Sequence, residues 1–429
     1  MSNKLADRYT SGKNAVLLIA ILSSFLTPFT SSSINIALPS IGNELLLNAV
    51  SLNWVATSYL LTAAAFLVPF GRLADILGRK RIFQIGIIVD AVSTILCAVS
   101  PSGNWLISFR ALEGVGGSMI FGTSVAILIS VFPPQERGRA LGLIGAATYT
   151  GLSVGPLIGG LMTQHFGWQA VFYLNALIGT VISVIVFSRV RGEWAGARGE
   201  KFDYTGSILY IMAMLVLFYA FSVLPAFWAL AVVFLGLIGF AIFIRWEMRQ
   251  QFPVLKVELF RNNTTFAFSN LAALLNYVTT TGVGFLLSLY LQYVYGLTPE
   301  HTGFILITMP IIMVVCSPIA GILSDKVEPR IISSIGMAFT TAGQIILAFL
   351  GGSSTLILVF FGLFVLGIGY GFFVSPNTNA IMSSVEQKFY GVASGTMGTM
   401  RLAGQAFSLG LILLLFSLFM CQVHITPPY

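Results

Sequence analysis

A chain of 429 residues that is 56 % apolar and only 9 % charged is not an ordinary soluble domain, in which about a quarter of residues carry charge. Its net charge of +7 is not gathered into a basic face that would grip nucleic acid. Of 22 Lys and Arg residues, 20 fall in every second gap between long apolar runs, so the charge marks membrane topology and no nucleic-acid partner is expected.

In chain order the runs cover 15–38, 52–71, 82–99, 105–132, 139–163 and 168–190, then 205–222 and 226–245, then 265–294, 302–323, 331–350, 355–376 and 390–422. Each is near or above the roughly 20 residues a helix needs to cross a bilayer. The pattern predicts an all-α polytopic membrane protein with about thirteen crossings. The first run is too long for a signal peptide's apolar core of about 7–15 residues, so it is expected to stay as a helix. Lys4, Arg8 and Lys13 precede it, Arg72, Arg79, Lys80 and Arg81 follow the second, and Arg137 and Arg139 follow the fourth. The alternation continues with Arg189, Arg191, Arg198 and Lys201, then Arg245, Arg249, Lys256 and Arg261, then Lys326, Arg330 and Lys388. Positive ends stay cytoplasmic, which puts the N-terminus inside and the tail through Tyr429 outside. The opposite gaps hold only Glu44, His165, Glu300 and His301 as titratable groups, and Cys97, Cys316 and Cys421 offer neither a disulfide framework nor a metal site.

Two longer stretches of mixed charge, 191–204 and 246–264, expected in the cytoplasm, bracket the seventh and eighth runs. The expected organisation is an N-terminal six-helix bundle (1–190), a two-helix insert with its linkers (191–264) and a C-terminal bundle (265–429). An internal repeat supports two related halves. Gly71-Arg72-Leu73-Ala74-Asp75-Ile76-Leu77-Gly78-Arg79-Lys80 follows the second run, and Gly321-Ile322-Leu323-Ser324-Asp325-Lys326-Val327-Glu328-Pro329-Arg330 follows the tenth, with Gly, Leu, Asp and a base at equal offsets. Glu328 stands where the first copy has Gly78. Two similar bundles about a midplane site are the usual build of a secondary transporter.

The segment Gly71 to Arg81 resembles the loop signature of the major facilitator superfamily. Gly142, Gly151, Gly155, Pro156, Gly159 and Gly160 reproduce the fifth-helix signature of its proton-driven exporters. Ile34 to Pro39, Arg110 to Gly117, Trp168 to Asn175 and Phe202 to Gly206 further resemble the fourteen-helix drug:proton antiporter branch. That resemblance implies a further helix after 422, where this chain ends, so either a truncated or a thirteen-crossing form is expected. It also implies an acid five residues before Asn35, where this chain has Thr30. The missing acid argues against polycationic drugs as cargo. By the same resemblance Gly71, Asp75, Gly78, Arg79 and Lys80, with Asp325 in the second copy, form a conformational latch. Asp75 should meet the start of the helix beginning near Tyr390, where the helix dipole favours negative charge. The fifth-helix glycines, spaced by four, form a seam that should pack against the tenth run. The first, fourth, ninth and twelfth runs should line a central cavity, making Asn35, Asn276, Tyr277 and Asn377 candidate substrate contacts alongside Arg401.

Asp90, Arg110, Glu113 and Arg401 lie inside apolar runs, where each costs about 2.5–3.5 kcal/mol at the midplane by insertion scales. Arg110 and Glu113 share a helical face, and the branch usually has Gln at the Glu113 position. They are either a structural ion pair or a proton-coupling site that takes over from the position of Thr30. Asp90 lies on a polar stripe with Gly86, Ser93, Thr94 and Cys97 that should face other helices, as a structural hydrogen-bonding group or a second proton carrier. Arg401 lies on the stripe Ser394, Gly398, Arg401, Gln405 and Ser408, so it points inward, either balancing charge in the cavity or tying neighbouring carbonyls.

The function expected is a proton-coupled antiporter in the cell membrane that exports small amphipathic compounds by alternating access. Gly-rich stretches such as Gly362 to Gly371 lack the Lys-Ser/Thr end of a phosphate loop, so the energy source is an ion gradient, with no cofactor. The partners expected are a small-molecule substrate, protons and the lipid bilayer, with the chain acting as a monomer. An importer or facilitator of a metabolite is the alternative, then a non-transporting membrane sensor. No constellation for enzymatic catalysis converges: His165, His301 and His424 all sit at predicted outer ends.

Overall fold

The computed structural model describes residues 2–190, 192–222, 228–351 and 355–419, with the side chains of 2–11, 49–50, 221–222, 299–300, 413 and 416–419 left aside. Lys4, Arg8, Arg191, Glu300, Cys421, His424 and the region of any helix after 422 fall outside the described side chains and residues. Hydrocarbon offers backbone amides no partner, so each apolar run closes its hydrogen bonds as a helix. In order these are α1 (Ser2–Glu44), α2 (Ala49–Leu77), α3 (Arg79–Ala98), α4 (Gly103–Val131), α5 (Pro134–Phe166) and α6 (Gln169–Arg189). Then follow α7 (Tyr204–Ser222), α8 (Ala229–Glu247), the short α9 (Glu258–Asn262) and α10 (Thr264–Leu289), which runs on as a π-helical turn through Tyr290–Val294. Last come α11 (Pro299–Leu306), α12 (Thr308–Lys326), α13 (Pro329–Ala348), α14 (Leu356–Ser383) and α15 (Tyr390–Phe419).

Eleven described segments are long and apolar enough to cross a membrane. The shorter α7 and the 30-residue α15 bring the described helices to the thirteen that the sequence implies. The chain is a multi-pass integral membrane protein. The tenth run crosses as one span, His301–Lys326, with α11 and α12 meeting at Ile307, which keeps helical dihedrals; Pro310 lacks the N–H that would meet the Leu306 carbonyl. Prolines at 28, 39, 69, 156, 318 and 376 sit inside helices, each removing one intrahelical hydrogen bond, as membrane helices commonly tolerate.

Helices α1 to α6 pack on one another, with α5 along α1, α2 and α3 on either side of α4, and α6 against α3. In the second half α13 and α12 pack on α14, and α10 packs on α15. The halves meet along two principal seams, α2 with α15 and α5 with α12. The α7–α8 hairpin lies outside, against α2 and α15, with the Tyr210 hydroxyl 3.1 Å from Thr399 Oγ1. Its outer face carries exposed Phe234, Leu235, Leu237 and Ile238, side chains suited to lipid.

The linker before α7 crosses the end of the bundle where the Lys and Arg residues gather. Glu193 accepts from the amides of Lys80 (2.8 Å) and Arg81 (3.1 Å), capping α3 at its positive dipole end. Arg79 N–H donates to Trp194 O and Ala197 N–H to Asp75 O, both at 2.9 Å, and Arg72 pairs with Glu200. Gly78 turns this corner at φ 119°, a left-handed conformation costly to any side chain.

Candidate functional site

Both copies of the repeated motif close the basic end, and they do so in the same register. Gly71 of α2 lies against the backbone of Gly391 in α15, where a Cβ would come within 2.8 Å of the Gly391 carbonyl carbon. Four residues on, Asp75 accepts from the amides of Gly391 (2.9 Å) and Val392 (3.0 Å). These lie in the first turn of α15, where amides have no intrahelical acceptor. Gly321 of α12 lies in the same way against Gly138 and Gly142 of α5, and Asp325 accepts from the amides of Gly138 (2.6 Å) and Arg139 (2.8 Å). The residues preceding the two equivalent glycines then meet: Arg137 donates to the Tyr390 hydroxyl at 3.3 Å and lies over its ring.

Among the described residues only the first carboxylate is paired with a cation. Asp75 and Arg79 are both fully buried, and Arg79 donates to Asp75 Oδ1 from Nε (3.0 Å) and Nη2 (2.7 Å). Arg79 also donates to Ser130 Oγ at 2.6 Å and to the Gln387 carbonyl, and it stacks over Tyr390. Lys80 joins this set only through its amide, held by Glu193; its ammonium makes no ion pair among the described residues.

Deeper in the bundle a cavity of about 380 Å³ lies between the halves, lined from α1, α4, α5, α10, α12, α14 and α15. Tyr277, Asn377 and Arg401 line it, whereas Asn35 and Asn276 do not. Asn276 is fully buried and points its amide to Met337 of α13, 3.1 Å away, because neighbouring positions on a helix diverge by about 100° and its partner Tyr277 takes the cavity side. Asn35 sits three turns beyond Ser24, the α1 residue on the wall, roughly 16 Å along the axis. On the Arg401 stripe, Ser394, Gly398 and Gln405 share the wall, but Ser408 instead accepts from Gly282 N at 2.9 Å and ties α15 to α10.

Sequence reasoning did not single out Tyr149 and Tyr370. Tyr370 packs edge-on to Tyr149 (6.2 Å between centroids) and to Tyr277 (5.7 Å), and Arg401 lies over Tyr277 (5.6 Å) and Phe121 (5.7 Å). The available signal was spacing. Tyr149 shares a helical face with Gly142 and Gly145, which approach α12, and not with the four-spaced glycines.

Those four-spaced glycines correct the expected seam. Gly151, Gly155 and Gly159 pack on Phe25, Phe29, Ser32 and Ser33 of α1, inside the same half, and only Gly142 meets the tenth run, 2.8 Å from Ser317 O for a built Cβ. A Cβ at Gly160 would find only Ile36, at an ordinary 3.7 Å, and Pro156 lies within the same α5 stretch. Ser33 Oγ donates to the Gly155 carbonyl at 3.1 Å, so the close approach is also hydrogen-bonded.

Asp90, Arg110 and Glu113 form a separate cluster, off the cavity wall, among α2, α3 and α4. Arg110 donates to Glu113 Oε2 (2.8 Å) and to the Val55 carbonyl (3.1 Å), stacks over Tyr59 at 4.7 Å, and is as buried as its partner. Cys97 Sγ lies 3.7 Å from the same Glu113 oxygen. Asp90 stands beside Gly116, and Ser93 and Thr94 of its stripe are buried, so the stripe faces α4 as expected. At the position of Thr30, the hydroxyl donates to Asn175 Oδ1 at 2.7 Å and joins α1 to α6.

A cavity between two bundles, shut at the basic end by a carboxylate from each half, is the anatomy of an alternating-access carrier. Residues 20–409 match the Major Facilitator Superfamily, and the chain belongs to it. It is 30 % identical over 398 residues to the riboflavin transporter RibZ of Clostridioides difficile, covering 92 % of this chain and 86 % of that one. It is 29 % identical over 403 residues to the multidrug resistance protein Stp of Mycobacterium tuberculosis, covering 92 % and 74 %. The solved structure of the human organic anion transporter MFSD10 (TETRAN) matches with a TM-score of 0.71 at 14 % identity, over 96 % of this chain and 95 % of that one, a likeness of fold alone. The protein is a major facilitator transporter, built as two bundles with a two-helix insert, and not an enzyme.

Proposed function

We propose that this transporter exports small amphipathic compounds from the cytoplasm in exchange for protons. Its N-terminus and basic end lie in the cytoplasm of a cell membrane, and residues 1–190 and 265–429 rock about the cavity. The observation that carries this reading is the double latch: Asp75 on α15 and Asp325 on α5 both hold the basic end shut below a cavity lined by Tyr277, Asn377 and Arg401. Opening toward the cytoplasm breaks both contacts together, because each crosses between the halves. Glu113 is the proton carrier in this reading, with Arg110 as its counter-charge; protonation removes the negative charge that holds Arg110, weakens their hydrogen bond and loosens α4 against α2 and α3. Asp90 is the second acid within that cluster. The names multidrug resistance protein and riboflavin transporter among relatives keep two cargo types in view, and the second favours a metabolite carrier as the competing reading.

The test is flux in proteoliposomes with an imposed pH difference, using a panel of dyes, drugs and flavins. Uptake into vesicles that rises with the proton gradient and collapses with an ionophore is the expected result, and Glu113→Gln should abolish the dependence on pH difference while leaving substrate binding. Proton-driven flux that survives Glu113→Gln removes this residue from the coupling step, and flux indifferent to the gradient favours a facilitator.

A further inference from the structure

The cavity has one ionic side chain, and it is a cation. Among its described lining residues Arg401 alone carries charge. No carboxylate lies within ion-pair distance of Arg401 among the described residues, since the buried acids Asp75 and Glu113 are taken up by Arg79 and Arg110. Its contacts are instead with ring faces, Tyr277 and Phe121. A guanidinium held over ring faces still carries N–H donors suited to a planar bidentate acceptor. Arg401 is part-buried on the wall with no anionic partner among the described residues, so a ligand that brings a negative group gains what a neutral one does not, and a cationic ligand meets repulsion. Nearby, the Tyr149 hydroxyl is buried with no partner among the described residues. The remaining wall combines aromatic and methionine side chains such as Tyr370, Met309 and Met313 with hydroxyl and amide groups such as Thr280, Asn377 and Gln405, and the volume stands at the small end of the roughly 300–1,000 Å³ typical of small-molecule sites.

We propose that the cavity takes an aromatic monoanion, a planar ring system bearing a carboxylate or sulfonate, with the anionic group on Arg401 and the ring among Tyr149, Tyr277 and Tyr370. This rests on the reading of the cavity as the transport site and gives that reading a charge. It also runs against the lipophilic cations that a multidrug carrier would first be tried with.

The experiment uses the full chain in lipid nanodiscs and three probes of nearly equal size: 2-naphthalenesulfonate, the neutral 2-naphthalenesulfonamide and the cationic 2-naphthyltrimethylammonium. Equilibrium binding should favour the sulfonate over the sulfonamide by about tenfold or more, with the ammonium weakest. Arg401→Gln should bring the sulfonate and sulfonamide to parity, and Arg401→Lys should keep part of the preference. Binding of the ammonium as tight as the sulfonate in the unmodified chain overturns the proposal, whatever the fate of the variants. A sulfonate preference unchanged in folded Arg401→Gln overturns it as well. The same probes in vesicles with a pH difference separate the two levels: gradient-driven flux of the ammonium alone would leave export standing and remove the anion, whereas Arg401-dependent sulfonate binding without any driven flux would leave the site and remove export.

Discussion

The two halves close the same end of the molecule with the same backbone device, yet only one of the two is charge-compensated. In each, a glycine lets two helices touch, and an aspartate four residues on accepts two consecutive amides of the facing helix. Asp75 is sealed from water and carries Arg79 with it, and the linker holds both through Trp194 and Ala197. Asp325 is only partly buried, and where the first copy has Arg79 the second has Pro329. The difference follows from solvation. A carboxylate in reach of water is hydrated for the remainder of its hydrogen-bonding capacity, whereas a sealed one needs a partner of opposite charge. Register is thus the shared element of the two latches, and the cation is an addition that burial requires.

The strongest way to break this comparison is Arg79→Met. Removing one partner of a fully buried ion pair strands the other, at about 3–5 kcal/mol. The variant should lose that stability in thermal unfolding of the solubilised chain and open the basic end, measured as labelling of a cysteine introduced at Ser394. Asp75→Asn in the same background should recover much of the loss by removing the stranded charge. A variant as stable as the parent would mean that Asp75 is not sealed as described. Asp325→Asn comes next. It keeps one acceptor oxygen and strands no cation, so about 1 kcal/mol is expected, with a modest gain in labelling. An effect as large as that of Arg79→Met would make the two latches equal and remove the argument from burial.

Much of this architecture is legible in the sequence, and the part that is not has a physical reason. The alternation of Lys and Arg between gaps marks the crossings, because translocating positive charge is disfavoured whatever the tertiary structure. The repeat at Gly71 and Gly321 marks two halves. Partner choice is another matter: glycines at 151, 155 and 159 announce a face that another backbone can touch, but α1 and α12 both supply small residues, and only packing selects Ser32 and Ser33. Asn276 and Tyr277 fall on overlapping faces in the sequence, and a rotation of about 100° sends one to Met337 and the other to the cavity. Tyr149 and Tyr370 belong to different halves, so their meeting was invisible to any local pattern.

The smallest expected effect is that of deleting the hydroxyl that links the latches. Tyr390 precedes Gly391 as Arg137 precedes Gly138, and these two residues touch across the pseudo-symmetric arrangement, with Arg79 over the same ring at 5.2 Å. Tyr390→Phe deletes only a long 3.3 Å hydrogen bond and keeps both stacked guanidinium groups, so a change of about 0.5 kcal/mol is expected in the same unfolding measurement. Tyr390→Leu removes the ring, which costs roughly 0.5–2 kcal/mol for each guanidinium that was stacked on it. The sharper readout is coupling. In a double-mutant cycle Arg79→Met and Asp325→Asn should be non-additive when Tyr390 is present and additive within about 0.5 kcal/mol in Tyr390→Leu. Additivity in both backgrounds would mean that the two latches open independently, each governed by its own glycine seam.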